Sequence, residues 1–209
     1  MGSKKIGVLC VDDHRLVREG ISLIISRQPD MEVVASAATG EEALALYERH
    51  NPDVVLMDLR LRTMTGLETI QRIRTFDESA RIIVVTMHDG DEDIYRAFRE
   101  GARAYLLKDT VPDDLVQAVR SVFAGESHLT DEVAAKLRQR ESNPPLTARE
   151  VEVLQLMLNG GTRKEIAERM NITEDTVHVH LKNIYAKLQV TDRGTAVNVA
   201  LRRGIVHIE

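Results

Sequence analysis

Tryptophan is absent from the 209 residues, and aromatic side chains make up only 3% of them. Recognition of nucleic acid by bases stacked on aromatic rings is therefore not expected. A single cysteine, Cys10, excludes an intramolecular disulfide and fits a reducing cytoplasm. No apolar run reaches the roughly 18 residues that a transmembrane helix requires. The first residues carry neither the apolar stretch nor the cleavage site of a secretory signal, so a cytoplasmic protein is expected. What remains is 43% hydrophobic and 29% charged, the balance of a folded chain with one or two domains.

The net charge of −5 is unevenly spread. Residues 1–124 hold 16 Lys and Arg against 21 Asp and Glu, residues 125–145 hold 3 against 4, and residues 146–209 hold 9 against 8. An acidic first part and a nearly neutral last part point to two modules with different partners.

Up to residue 124, short apolar runs alternate with amphipathic stretches. Ile6–Val11, Glu32–Ala37, Val54–Met57, Ile82–Val85 and Ala104–Leu107 read as strands, several of them unbroken Val, Ile and Leu as in parallel strands covered on both faces. Helical periodicity fills 14–27, 40–50, 66–75, 91–100 and 112–124. Thr39 with Glu42 reads as a capping box, and Pro112 suits a first helical turn. Strand and helix in strict alternation predict an α/β fold, a doubly wound, five-stranded parallel sheet.

Residues 125–145, with Gly125 and the triplet Asn143-Pro144-Pro145, read as a stiff linker that holds a short helix over 131–140. From Leu146 only helical periodicity remains. Thr147 with Glu150 and Thr162 with Glu165 open two helices, Thr173 caps a third over 174–188, and a fourth spans about 192–203. Four short helices with tight turns predict a helix-turn-helix module over 146–209.

In such a sheet, ligands bind at the carboxyl ends of the strands. Asp12 and Asp13 end the first strand, Asp58 the third, Thr86 the fourth and Lys108 the fifth. Three carboxylates held together repel unless a cation neutralises them. An all-oxygen set favours Mg²⁺, which binds one or two carboxylates together with phosphate oxygens. Asp58 is then placed to act as a nucleophile and form an aspartyl phosphate, with Lys108 and Thr86 contacting phosphoryl oxygens. His14 is expected at a solvated helix start rather than as a metal ligand, and Cys10 in the core.

In the helix 174–188, Val177, Leu181, Ile184 and Leu188 share one face. The opposite face carries Asp175, Val179, Lys182, Asn183 and Ala186, flanked by Thr176, His178 and Lys187, and no acid follows Asp175. Val179 suits a thymine methyl and Lys182 a guanine edge in the major groove. Arg163, Lys164 and Lys187 suit phosphates. Ala196, Val199, Ala200 and Arg203 on the last helix form either a dimer face or part of the bundle's packing. A net charge of +1 on this module calls for a dimer to double the phosphate contacts.

The segments VLCVDDHRLVREGI, VVLMDLRLRTMTGLETI, VTMHDGDEDIYRAFREGARAYLLKD and LTAREVEVLQLMLNGGTRKEIAERMNITEDTVHVHLKNIYAKL resemble a bacterial two-component response regulator of the NarL/FixJ type, a receiver joined to a LuxR-type helix-turn-helix. The resemblance spans nearly the whole chain except the linker. It implies that Asp58 is the phosphoacceptor and that Asp12 and Asp13 are the acidic Mg²⁺ pair, with the backbone carbonyl of Arg60 completing the metal site. It implies that Lys108 contacts the phosphate, and that Thr86 and Tyr105 are switch residues. It also implies a sensor histidine kinase as donor and double-stranded promoter DNA as target, bound by a homodimer. The chain departs from the family pattern at Leu61-Arg62, usually Met-Pro, which predicts a looser loop, and at His178, usually lysine. Arg60 and His88, two residues after Asp58 and Thr86, occupy positions that commonly tune loss of the phosphoryl group in receivers. An aspartate-nucleophile phosphatase is disfavoured because Arg60 stands where such an enzyme needs a second carboxylate. A constitutive DNA-binding protein with an inert receiver is disfavoured by the complete set of Asp12, Asp13, Asp58, Thr86 and Lys108.

Overall fold

A computed structural model describes residues 4–208 of the chain. Its elements run β1 (Ile6–Val11), α1 (Arg15–Ser26), β2 (Met31–Ala37), α2 (Gly40–His50), β3 (Val54–Met57), α3 (Gly66–Phe76), β4 (Ile82–Thr86), α4 (Asp91–Arg99), β5 (Ala104–Leu107) and α5 (Pro112–Phe123). They continue through α6 (Asp131–Ser142), α7 (Ala148–Leu158), α8 (Arg163–Met170), α9 (Glu174–Leu188) and α10 (Arg193–Arg202). The expected strands and helices are all present, with boundaries moved by one or two residues.

The five strands pair in parallel in the order β2-β1-β3-β4-β5. The order reverses between β1 and β3, and a crevice opens at such a switch point beyond the strand ends. Alternate strand residues such as Val8, Cys10, Leu56, Ile83 and Leu106 pack with Ile21 and Ile25 of α1 and Val119 and Val122 of α5. Their neighbours Leu9, Val55, Met57, Val84 and Tyr105 point to the other face and are equally buried. This two-sided burial explains why the strands read as unbroken apolar runs.

Local signals hold the helices in register. Thr147–Glu150 and Thr162–Glu165 form complete capping boxes, and Thr173 caps α9. A further complete box, Thr65–Glu68, opens α3. The Thr39–Glu42 box is only half made: Thr39 accepts from the Glu42 N–H, but the Glu42 carboxylate accepts from the Ala38 N–H instead. Pro112 occupies the first turn of α5, as expected.

By backbone proximity the described chain divides into two compact units. The first holds residues up to Met87 together with Tyr95–Val133, and the second joins His88–Ile94 to the chain from Ala134 onward. Within the first, the His128 N–H donates to the Arg103 carbonyl at 3.0 Å, so the start of the expected linker pairs at the β5 edge. The second unit packs around Val153, Leu154, Met157, Ile166, Val177, Ile184 and Leu188. Ala196 and Ala200 of α10 are buried in this cluster, which assigns them to bundle packing rather than to an exposed dimer face.

Candidate phosphoacceptor site and nucleic-acid interface

The ends of β1, β3, β4 and β5 bring the expected acidic set together. The Asp58 N–H donates to the Val11 carbonyl at 2.9 Å and the Lys108 N–H to the Thr86 carbonyl at 2.9 Å, so sheet hydrogen bonds fix both residues at the crevice. Asp12 is 1% exposed and Asp58 2%. The Lys108 ammonium lies 2.7 Å from Asp12 Oδ2 and 2.7 Å from Asp58 Oδ2. Burial works against a charged lysine here, but the hydrogen bonds to Asp12 and Asp58 outweigh it and hold Lys108 above the usual lysine value.

One ammonium offsets only one of three carboxylates. The residual charge of Asp12, Asp13, Asp58 and Lys108 is that of two anions, which a divalent cation matches. Asp58 Oδ1 and Thr86 Oγ1 are buried without a hydrogen-bond partner among the described residues. Buried polar atoms left unpaired are costly and rare, and they mark places where a ligand supplies the partner. The donor set fits Mg²⁺.

The loop after β3 is shaped by Gly66. A Cβ at this position would lie 2.0 Å from the Asp58 carbonyl oxygen and 2.7 Å from Leu59 Cα, so only glycine lets the chain pass over the backbone of Asp58. The looseness expected from Leu61-Arg62 is countered by anchoring. Leu61 and Met64 are buried, and Arg62 Nε approaches Asp13 Oδ2 at 3.4 Å. Arg60 is half-buried beside them. Thr86 and Tyr105 are both fully buried.

His14 precedes α1 without capping it, and its Nδ1 lies 2.7 Å from Asp13 Oδ1. Arg18, which carries no motif, donates to the backbone carbonyl of Asp12. Cys10 is core, and burial, with Asp12 adding to it, pushes its thiol up to about 12.

In the second unit, α8 and α9 are joined by a turn in which Asn171 adopts a left-handed conformation with φ 52°. Arg163, Lys164, Thr176, His178, Val179, Lys182 and Asn183 are all exposed. Val179 is 54% exposed although apolar, the reverse of what packing would select. Thr176 has a local task as well: its N–H donates to Thr173 Oγ1, and the two hydroxyls lie 2.9 Å apart. Lys187 is half-buried, and its ammonium donates to Glu150 Oε2 at 2.7 Å, tying α9 to the capping box of α7. Glu150 was legible only as a cap, because its partner lies 37 residues away in sequence.

Two family models match the chain: the response regulator receiver domain over residues 8–120 and the bacterial regulatory proteins of the luxR family over residues 144–200. The chain belongs to the LuxR-type response regulators. It is 40% identical over 206 residues to the response regulator protein VraR of Staphylococcus aureus (strain Mu3), covering 96% of this chain and 99% of that one. It is also 40% identical over 196 residues to the nitrate/nitrite response regulator protein NarL of Escherichia coli (strain K12), covering 89% and 90%. Among solved structures, the response regulator ChrA of a heme-sensing two-component system matches with a TM-score of 0.58 and 33% identity, over 99% of this chain and 100% of that one. The response regulator is therefore a DNA-binding transcription regulator of a two-component system, with a flavodoxin-like receiver and a C-terminal helical domain. No helix among the described residues is long and apolar enough to cross a membrane.

Proposed function

We propose that Asp58 is the phosphoacceptor of this response regulator and that its phosphorylation governs promoter binding through α9. The observation that carries the reading is the Lys108 ammonium placed 2.7 Å from both Asp12 and Asp58 while Asp58 Oδ1 stays buried and unpartnered. That oxygen attacks the phosphorus of a phosphohistidine on a sensor histidine kinase. The phosphorus–nitrogen bond breaks, the donor imidazole leaves with a proton from solvent, and an aspartyl phosphate remains. Asp12, Asp13, Asp58 and the Arg60 backbone carbonyl would hold Mg²⁺, which neutralises charge on the carboxylates and the transferred phosphoryl group.

Lys108 keeps the carboxylates together before transfer and pairs with a phosphoryl oxygen after it. Thr86 Oγ1 is the hydroxyl free to donate to a second oxygen. The added charge of about −1.5 to −2 biases the buried pair of Thr86 and Tyr105, which is how one modified side chain shifts a surface equilibrium. In the second unit Val179, Lys182 and Asn183 read base edges, with His178 and Thr176 beside them, while Arg163 and Lys164 meet phosphates. A homodimer on a two-fold promoter site doubles those contacts.

Incubation with Mg²⁺ and a small phosphodonor, read by intact mass, tests the acceptor. One phosphoryl group is expected on the wild type and none on Asp58→Asn, because an amide is a poor nucleophile. An equal mass gain in Asp58→Asn would assign the nucleophile elsewhere.

A further inference from the structure

A second set of metal-binding side chains lies apart from the acidic pocket, wholly within the second compact unit. His207 Nε2 is 3.1 Å from Asp93 Oδ1. The rings of His88 and His207 meet edge to face, with centroids 5.6 Å apart and planes inclined by 76°. One donor atom from each of His88, Asp93 and His207 lies within 4.8 Å of the other two. Ligands about 2.0–2.1 Å from one tetrahedral ion are roughly 3.4 Å apart, so small side-chain rotations close the set.

Asp93 supplies an independent sign. The residue is 4% exposed, and Asp93 Oδ2 is buried with no hydrogen-bond partner among the described residues. The turn that carries His207 is built close around it. Gly204 sits at φ 69°, and a Cβ there would fall 2.2 Å from Asp93 Oδ2. The Glu92 N–H donates to the Arg203 carbonyl at 2.9 Å, and Arg203 pairs with Asp91 at 3.0 Å. A buried carboxylate with an unmatched oxygen, two imidazoles and a braced backbone are the parts of a preorganised cation site.

We propose that His88, Asp93 and His207 bind a divalent transition-metal ion of the zinc class. Two imidazoles and one carboxylate suit Zn²⁺ and its neighbours, whereas Mg²⁺ demands oxygen ligands and is directed to the acidic pocket. Three protein ligands leave a coordination position for water, and His207 keeps 21% of its side chain exposed as an entry path. The ion would clip residues 88–93 to the tail that carries His207. Because His88 and Asp93 follow Thr86 closely in sequence, metal occupancy would restrain the segment next to the switch residue.

The test is a titration of the chelator-treated full chain with Zn²⁺ against a chromophoric zinc chelator, in saturating Mg²⁺. The same titration with Co²⁺ reads histidine ligation from its visible ligand-field band. One tight site is expected in the wild type. His88→Gln, Asp93→Asn and His207→Gln should each weaken it at least tenfold, with thermal melts confirming that the variants fold. His14→Gln, at the acidic pocket, and His50→Gln, on α2, should leave it unchanged. Wild-type affinity no tighter than that of the His88→Gln/His207→Gln double variant, or loss of the site in His14→Gln, would overturn the assignment.

Discussion

The pairing of Glu150 with Lys187 gives the sharpest quantitative test of the second unit. Glu150 is 3% exposed, accepts from the Thr147 N–H at 2.7 Å and receives the Lys187 ammonium at 2.7 Å. Glu150→Gln keeps the shape and the capping acceptor and removes the charge. Breaking a buried pair costs about 3–5 kcal/mol, but Lys187 is a quarter exposed and water can solvate it once released, so about 2 kcal/mol is expected. In a domain of 60–100 residues that lowers Tm by roughly 8–16 °C. Lys187→Met should cost more, about 3 kcal/mol, because the stranded partner is then a carboxylate shut away from water. The double variant should recover part of the loss, since no unpaired charge remains.

The pH dependence of this effect has a definite sign. Burial alone would push the Glu150 carboxyl up; the hydrogen bonds from Lys187 and Thr147 prevail and hold it below the ordinary glutamic acid value. A depressed carboxyl contributes stability that is present above the unfolded value of about 4.3 and disappears as pH falls through the lower folded value. Thermal melts of wild type and Glu150→Gln from pH 7 down to 3 should therefore show a Tm gap that is constant above about pH 5 and narrows below 4. A gap absent at pH 7, or one that does not change with pH, would refute a stabilising ion pair. DNA affinity separates the two roles of Lys187. If it serves phosphates, Lys187→Met lowers the log–log salt slope by about one unit, whereas a lysine that acts only as a bundle tie leaves that slope unchanged.

Further outcomes follow from single positions. Gly66→Ala should destabilise the receiver by roughly 1–3 kcal/mol and slow phosphorylation in the mass assay, because its methyl meets backbone atoms that cannot move aside; a variant with wild-type melting and phosphorylation would contradict that close approach. Cys10, with its thiol raised to about 12, should resist alkylation in the folded chain at pH 8 and react only on denaturation, so rapid native labelling would place it outside the core. His178→Lys should tighten DNA binding and add up to about one unit to the log–log salt slope where the side chain meets a phosphate, and an unchanged slope would place position 178 away from the DNA backbone.

The acidic pocket was legible because topology makes it local: each of Asp12, Asp58, Thr86 and Lys108 immediately follows an apolar run, and a parallel sheet gathers all such ends on one side. The Thr147–Glu150 and Thr162–Glu165 capping boxes were legible for the same reason, each being written within four residues. The half-made box at Thr39 shows the limit, since the spacing is correct and the Glu42 carboxylate still chose the Ala38 N–H. Glu150–Lys187 and His88–Asp93–His207 depend on chain returns of 37 and more than a hundred residues, and no period or spacing encodes them. A charged residue read one at a time is best taken as solvated. That rule suits Lys182 and Arg163, which are exposed, and fails for Lys187, whose neighbour in space is a buried acid. The failure has a mechanical consequence for function. The orientation of α9 is set by its own core residues and also by a charge pair to the first turn of α7, so a bond inside the bundle helps to aim the face that carries Val179 and Lys182.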